Sequence, residues 1–156
     1  MKKMISLLLV SFAILSAGYA QTAAKAVYLE VLGPGGLYSV NYDMRFTPTQ
    51  NGLGFRVGFS TFSYQSVSIV TIPIGINYLI GHERNFFEVG VGYTYASISS
   101  KTRLKSKNFS SSFGNATLGY RFAPVKGGVF FKVELSPLLG NGFFIPWGGI
   151  GVGYKF

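Results

Sequence analysis

The chain has no cysteine, which leaves it neither a disulfide nor a thiolate metal site. Histidine and tryptophan occur once each. Charge is scarce: Asp, Glu, Lys and Arg make up 12% of residues, about half the soluble norm of ~25%. Beyond the N-terminal region no stretch approaches the ~20 apolar residues that a spanning helix needs. These absences exclude a disulfide-stapled module and a helical membrane bundle. What is present is apolar and aromatic: 15 Phe and 10 Tyr, interrupted by 21 Gly, within 156 residues that suffice for one domain. An aromatic, glycine-rich, weakly charged chain without a hydrophobic helix has the composition of a membrane β-barrel.

The N-terminus reads as an export signal. Met1 to Met4 holds two lysines, Ile5 to Leu15 is an apolar run too short to anchor, and Gly18 and Ala20 are the small residues of a cleavage site. Residues 1–20 are therefore expected to be removed and 21–156 to form the barrel domain. The formal charge of +9 would ordinarily raise nucleic-acid binding. Export removes the chain from nucleic acid and makes anionic lipid headgroups the better partner.

From there the sequence alternates with period 2, the mark of strands with two unlike faces. In Tyr38 to Phe46 every even position is apolar and every odd one polar or charged. Eight such segments follow one another. Their apolar sets begin with Val27, Leu29, Val31 and run through Leu53, Phe55, Val57, Phe59 and Ile72, Ile74, Ile76, Tyr78 to Phe87, Val89, Val91, Tyr93, Tyr95. Three more follow, around Leu118 and Tyr120, around Phe131 and Val133, and at Ile150, Val152, Tyr154, Phe156. The opposite faces are mostly Gly, Ser and Thr with about one charge per strand. A soluble barrel would need a far more charged wet face, so the apolar face is assigned to lipid and the sparse charges to the interior. Closure then satisfies every backbone donor and acceptor, as a membrane demands. The expected fold is all-β: a closed, antiparallel, eight-stranded transmembrane β-barrel of up-and-down topology. Pro73, in mid-segment, predicts a bulge or kink.

Connections alternate in length. Thr47–Gly52, Gly81–Asn85 and Pro124–Gly128 are short and polar, and are expected to be periplasmic together with both mature termini. Gly33–Gly36, the Tyr64–Ser66 region, Ser97–Ser112 and Leu139–Ile145 are expected to be external loops, Ser97–Ser112 being the longest.

The last strand, with Ile150, Val152, Tyr154 and a final Phe156 at every second place, resembles the assembly signal of bacterial outer-membrane barrels. The resemblance implies the barrel-insertion machinery as a partner during assembly. The whole mature region, with its Gly36–Tyr42 and Phe144–Trp147 stretches, resembles small outer-membrane β-barrel proteins of uncharacterised function in Gram-negative bacteria. That likeness implies fold and location, and no activity.

Chemistry is hard to find. Catalytic barrels commonly use a rim histidine beside Ser or Asp, whereas His82 falls in a short turn. No catalytic, cofactor or metal site is expected, and no cofactor. Two charged sets remain. Glu30, Asp43, Arg45, Arg56, Glu88, Arg121, Lys132 and Glu134 share the inner face, and near-equal numbers of both signs predict a salt-bridged plug. Lys155 shares that face. Lys101, Arg103, Lys105 and Lys107 recur at every second residue and predict a comb for lipopolysaccharide phosphates. The leading reading is a monomeric structural or surface-interaction barrel with a charge-plugged interior, embedded in outer-membrane lipid and lipopolysaccharide. The alternative is a small porin-like pore or solute carrier, and an enzyme acting on lipid ranks third.

Overall fold

The computed structural model describes residues 23–102 and 105–156, with backbone alone at 101, 102 and 105–107. The expected signal segment, residues 1–20, and Arg103 lie outside the described residues. Among the described residues ten strands form: β1 Lys25–Leu32, β2 Tyr38–Arg45, β3 Gly52–Tyr64, β4 Val67–His82, β5 Asn85–Thr102, β6 Lys105–Phe122, β7 Gly128–Leu135, β8 Leu138–Gly140, β9 Phe143–Ile145 and β10 Gly148–Lys155. All pairings are antiparallel: β1 to β7 pair in chain order, β6 also meets β8, β8 pairs with β9, β7 pairs with β10, and β1 pairs with β10 to close the ring.

Ten strands make eight staves. β7 and β8 are one stave interrupted at Ser136–Pro137, and β9 and β10 are another interrupted at Pro146–Trp147. Proline has no N–H to give the ladder, so it breaks a strand without ending its course. Ser136 N–H to Trp147 O (2.8 Å) and Ala116 N–H to Pro137 O (3.3 Å) carry the interrupted pairing across the gap. The closed eight-stranded antiparallel barrel is the fold expected from the alternation.

The two faces sort as period 2 requires. Leu29, Val40, Phe59, Ile76, Val91, Leu118, Val133 and Ile150 are exposed on the outside. Inside, the fully enclosed residues are mostly polar: Glu30, Ser39, Asn41, Asp43, Arg45, Glu88, Thr94 and Glu134. Glycines make this narrow bore possible. A Cβ on Gly153 would strike the Val27 carbonyl oxygen, and one on Gly54 would strike the Arg45 guanidinium.

Three expectations change. Pro73 inserts no bulge: β3 and β4 pair as Val57↔Ile74 and Ser60↔Thr71 in one register, with only the intervening pairs missing, and the β4–β5 ladder runs through Pro73↔Thr94 unbroken. The ring fits because Gly58 lies beside it; a Cβ there would sit 2.9 Å from Pro73 Cγ. Ser97–Ser112 is no loop. β5 and β6 stay paired from Asn85↔Phe122 to Thr102↔Lys105, since a ladder already begun propagates through alternating Ser and apolar pairs such as Ile98↔Phe109. Leu139–Ile145 is likewise a hairpin, β8–β9, turning at Asn141-Gly142 with Gly142 at φ 81°.

The wall is therefore uneven. β3 to β6 have 13, 16, 18 and 18 residues, against 8 in β1, β2, β7 and β10. Both ends of the described chain lie at one end of the barrel, where Lys25 and Phe156 exchange backbone hydrogen bonds of 3.1 and 2.9 Å. The long strands project at the opposite end, called the far end below.

Candidate functional site: the charged interior and the closed far mouth

Among the described side chains the inward phases carry charges into the bore, and eight of them join one network. Near the terminal end, Asp43 on β2 receives Arg45 (2.7 Å) and Arg121 (3.2 Å). Arg121 also grips Glu88 on β5 at 2.9 Å. Asn77 on β4 donates to both carboxylates, Asp43 and Glu88, at 2.8 Å each, and its oxygen accepts from Arg45. Lys132 on β7 links this group to the next, reaching Glu88 (3.4 Å), Glu134 (2.6 Å) and Glu30 (3.5 Å). Arg56 on β3 completes the far side with Glu134 (3.4 Å) and Glu30 (3.7 Å). Four carboxylates thus meet four cations, and all eight side chains are at most 5% exposed. Charges this deep are tolerable only when paired and hydrogen-bonded, because the loss of hydration must be offset locally.

Two aromatic residues belong to the same cluster. Tyr28 and Phe130 pack edge to face at 5.6 Å, with Lys132 over the Tyr28 ring and Arg121 over Phe130, each at 5.2 Å. Sequence reading passed over both, since each stands between two outward apolar residues. Parity was the available signal: position 28 shares the phase of Glu30, and position 130 that of Lys132. Lys155 stands apart from the network. Its ammonium donates to Gln50 Oε1 (2.5 Å) and to the carbonyls of Pro124 (2.7 Å) and Val125 (3.0 Å), stitching two turns at the terminal end.

The far mouth is closed by a turn. Leu32 to Gly36 bends with φ of 61° at Leu32, 80° at Gly33 and 100° at Gly36, a path only glycine takes freely. It folds inward, burying Gly33, Pro34 and Gly35. Three consecutive carbonyls are each held from a different part of the wall. Trp147 Nε1 donates to Gly33 O (2.9 Å), Thr94 to Pro34 O (2.9 Å) and Thr71 to Gly35 O (2.6 Å). Trp147, from the Phe144–Trp147 stretch, thus reaches the Gly33 carbonyl from the far end of the sequence. The Gly33–Gly36 segment, expected as an external loop, is a plug in the bore.

The remaining candidate residues are dispersed. Ile150, Val152, Tyr154 and Phe156 are exposed along the outer face of the seam. There Ile150, Val152 and Tyr154 pair with Val31, Leu29 and Val27. Lys101, Lys105 and Lys107 belong to the β5–β6 hairpin in the register Lys101↔Ser106, Thr102↔Lys105 and Ser100↔Lys107. Lys101 and Lys105 therefore occupy opposite phases of the ladder; Arg103 and the side chains of all three lysines lie outside the described residues. His82 is exposed at the end of β4 on the rim of a cavity of about 720 Å³ that opens at the terminal end and has Lys155 in its lining.

The fold is similar to that of the N-terminal β-barrel domain of Pseudomonas aeruginosa OprF, with TM-score 0.64 and 13% identity over 86% of this chain and 96% of that one. A weaker likeness, TM-score 0.48 at 12% identity over 85% and 91% of the two chains, is to Neisserial surface protein A. No family model matches the sequence, and no curated protein is similar to it in sequence.

Proposed function

We propose that this chain is an integral outer-membrane barrel of Gram-negative bacteria whose interior is filled, and that it acts as a structural or surface-interaction protein. One observation carries the reading: eight interior charges, four of each sign, form a single ion-pair network across the bore. The inward Gly33–Gly36 turn adds a second obstruction above it. The apolar outer face suits lipid, and the terminal end, with its three short turns, suits the periplasm. Lipopolysaccharide phosphates are the proposed contact of the basic hairpin, and the barrel-insertion machinery the proposed partner of the last strand. The barrel is taken as a monomer.

The pore or carrier reading has one feature in its favour, the cavity of about 720 Å³ at the terminal end. Between it and the network only a void of about 10 Å³ remains, beside Lys155, Asp43, Arg45 and Arg121. Conductance of the refolded protein in a planar bilayer separates the two readings. A silent membrane is expected. Steady single-channel openings, altered in an Arg121→Ala variant, would make the inner charges the lining of a pore.

A further inference from the structure

The uneven wall leaves a strand without a neighbour. β6 is paired with β5 along its whole length. On its other side it meets β7 from Leu118 to Phe122, then β8 only at Gly114↔Leu139 and Asn115↔Leu138. β8 ends at Gly140 and turns back into β9. From Phe113 toward the far end, no described strand lies against the outer side of β6.

The polarity of that edge follows from one hydrogen bond. Ala116 N–H points to Pro137 O, on the β8 side. Backbone groups alternate sides along a strand, and the β5–β6 register is unbroken, so no bulge shifts the phase. Asn108, Ser110 and Ser112 therefore turn their N–H and C=O groups to the open side. All three residues are exposed. Where β8 leaves the edge, a cavity of about 550 Å³ opens, lined by Tyr93, Phe113, Leu139 and Phe143 among others.

We propose that the open edge of β6 is a strand-addition site for an extended, acidic peptide segment of an extracellular protein, which seats one apolar side chain in the cavity at the base of the edge. An unpaired edge offers main-chain hydrogen bonds, and an adjoining pocket supplies selectivity. Charge chooses among peptides: the sequence carries Lys101, Arg103, Lys105 and Lys107 at every second residue, and no acidic residue occurs between Glu88 and Glu134. A second copy in the same membrane does not fit. Two barrels related by an axis along the membrane normal would bring together edges tilted about 35–45° in opposite senses, which cross rather than align. The proposal rests on the surface-interaction reading, with the far end outside.

The test uses the refolded chain in nanodiscs and the peptide acetyl-EVTFTE-amide, with acetyl-KVTFTK-amide as its charge-reversed control. Backbone amide exchange and NMR titration report binding. The acidic peptide is expected to slow exchange at Asn108, Ser110 and Ser112 and to bind at least tenfold better than the basic one. Ser110→Pro deletes an N–H on the open side only, so the β5 ladder survives, and it should weaken binding at least tenfold. Phe143→Ala, which enlarges the pocket and removes a wall, should also weaken it. Equal binding to Ser110→Pro and wild type, or unchanged exchange at saturating peptide, overturns the proposal. So does a dimer in sedimentation that Ser110→Pro abolishes, since the edge would then serve a second copy. Channel openings in the separate bilayer measurement would sink the filled-barrel reading and leave the edge result standing.

Discussion

Arg121 is the residue whose loss should be felt most. It holds Glu88 through Nε (3.0 Å) and Nη2 (2.9 Å), holds Asp43 through Nη1 (3.3 Å) and Nη2 (3.2 Å), and stacks on Phe130. Arg121→Ala leaves Asp43 with Arg45 and Asn77, Glu88 with Lys132 and Asn77, and the network with one excess negative charge. Removing one partner from a buried ion pair costs about 3–5 kcal/mol, because the abandoned charge remains desolvated. The loss should show as a lower urea midpoint for the barrel in lipid vesicles, followed by tryptophan fluorescence of Trp147 and by heat-modifiable migration. A charge-balanced double variant, Arg121→Met with Asp43→Asn, should recover about 0.5–3 kcal/mol of that loss, the range found for coupled neighbours. If the single variant lost under about 1 kcal/mol, or the double variant fell by the sum of its parts, the interior would be wet enough to screen its charges and the plug would not be a coupled unit.

Three other outcomes follow from the same geometry. Trp147→Phe keeps an aromatic ring, though a smaller one, and removes the donor to Gly33 O; loss of the hydrogen bond should cost about 0.5–1.5 kcal/mol and speed amide exchange in the Gly33–Gly36 turn, and unchanged exchange would refute the latch. Gly153→Ala places a methyl against the backbone of Val27 and Tyr28, which cannot step aside as a long side chain can. It should destabilise by about 1–3 kcal/mol, the cost of overpacking, whereas Gly142→Ala meets no atom within 4 Å and suffers only from its positive φ. Changing Lys101, Arg103, Lys105 and Lys107 together to Gln should weaken binding to lipopolysaccharide vesicles and flatten its salt dependence; unchanged binding would remove that contact from the proposed partners.

Much of this protein is written in its alternation. A period of two assigns each residue to a face, and the composition of the two faces decides which is dry, so the eight staves and the inward set from Glu30 to Glu134 are local properties of the sequence. So was the excess of glycine on the inner face. Tertiary structure decided what alternation cannot carry. Partners across the bore, such as Arg121 with Asp43 or Arg56 with Glu30, depend on the register and closure of strands far apart in sequence. Whether a Gly-Pro-Gly-Gly segment dangles outside or folds into the mouth depends on Thr71, Thr94 and Trp147 arriving from three other places. Pro73 looked like a defect by itself and became a fitted ring only beside Gly58. The open edge of β6 is likewise a relation between strand lengths: no residue of β6 announces that β8 stops short. One strand's pattern fixes which way its side chains point, and only the assembled ring fixes what they meet.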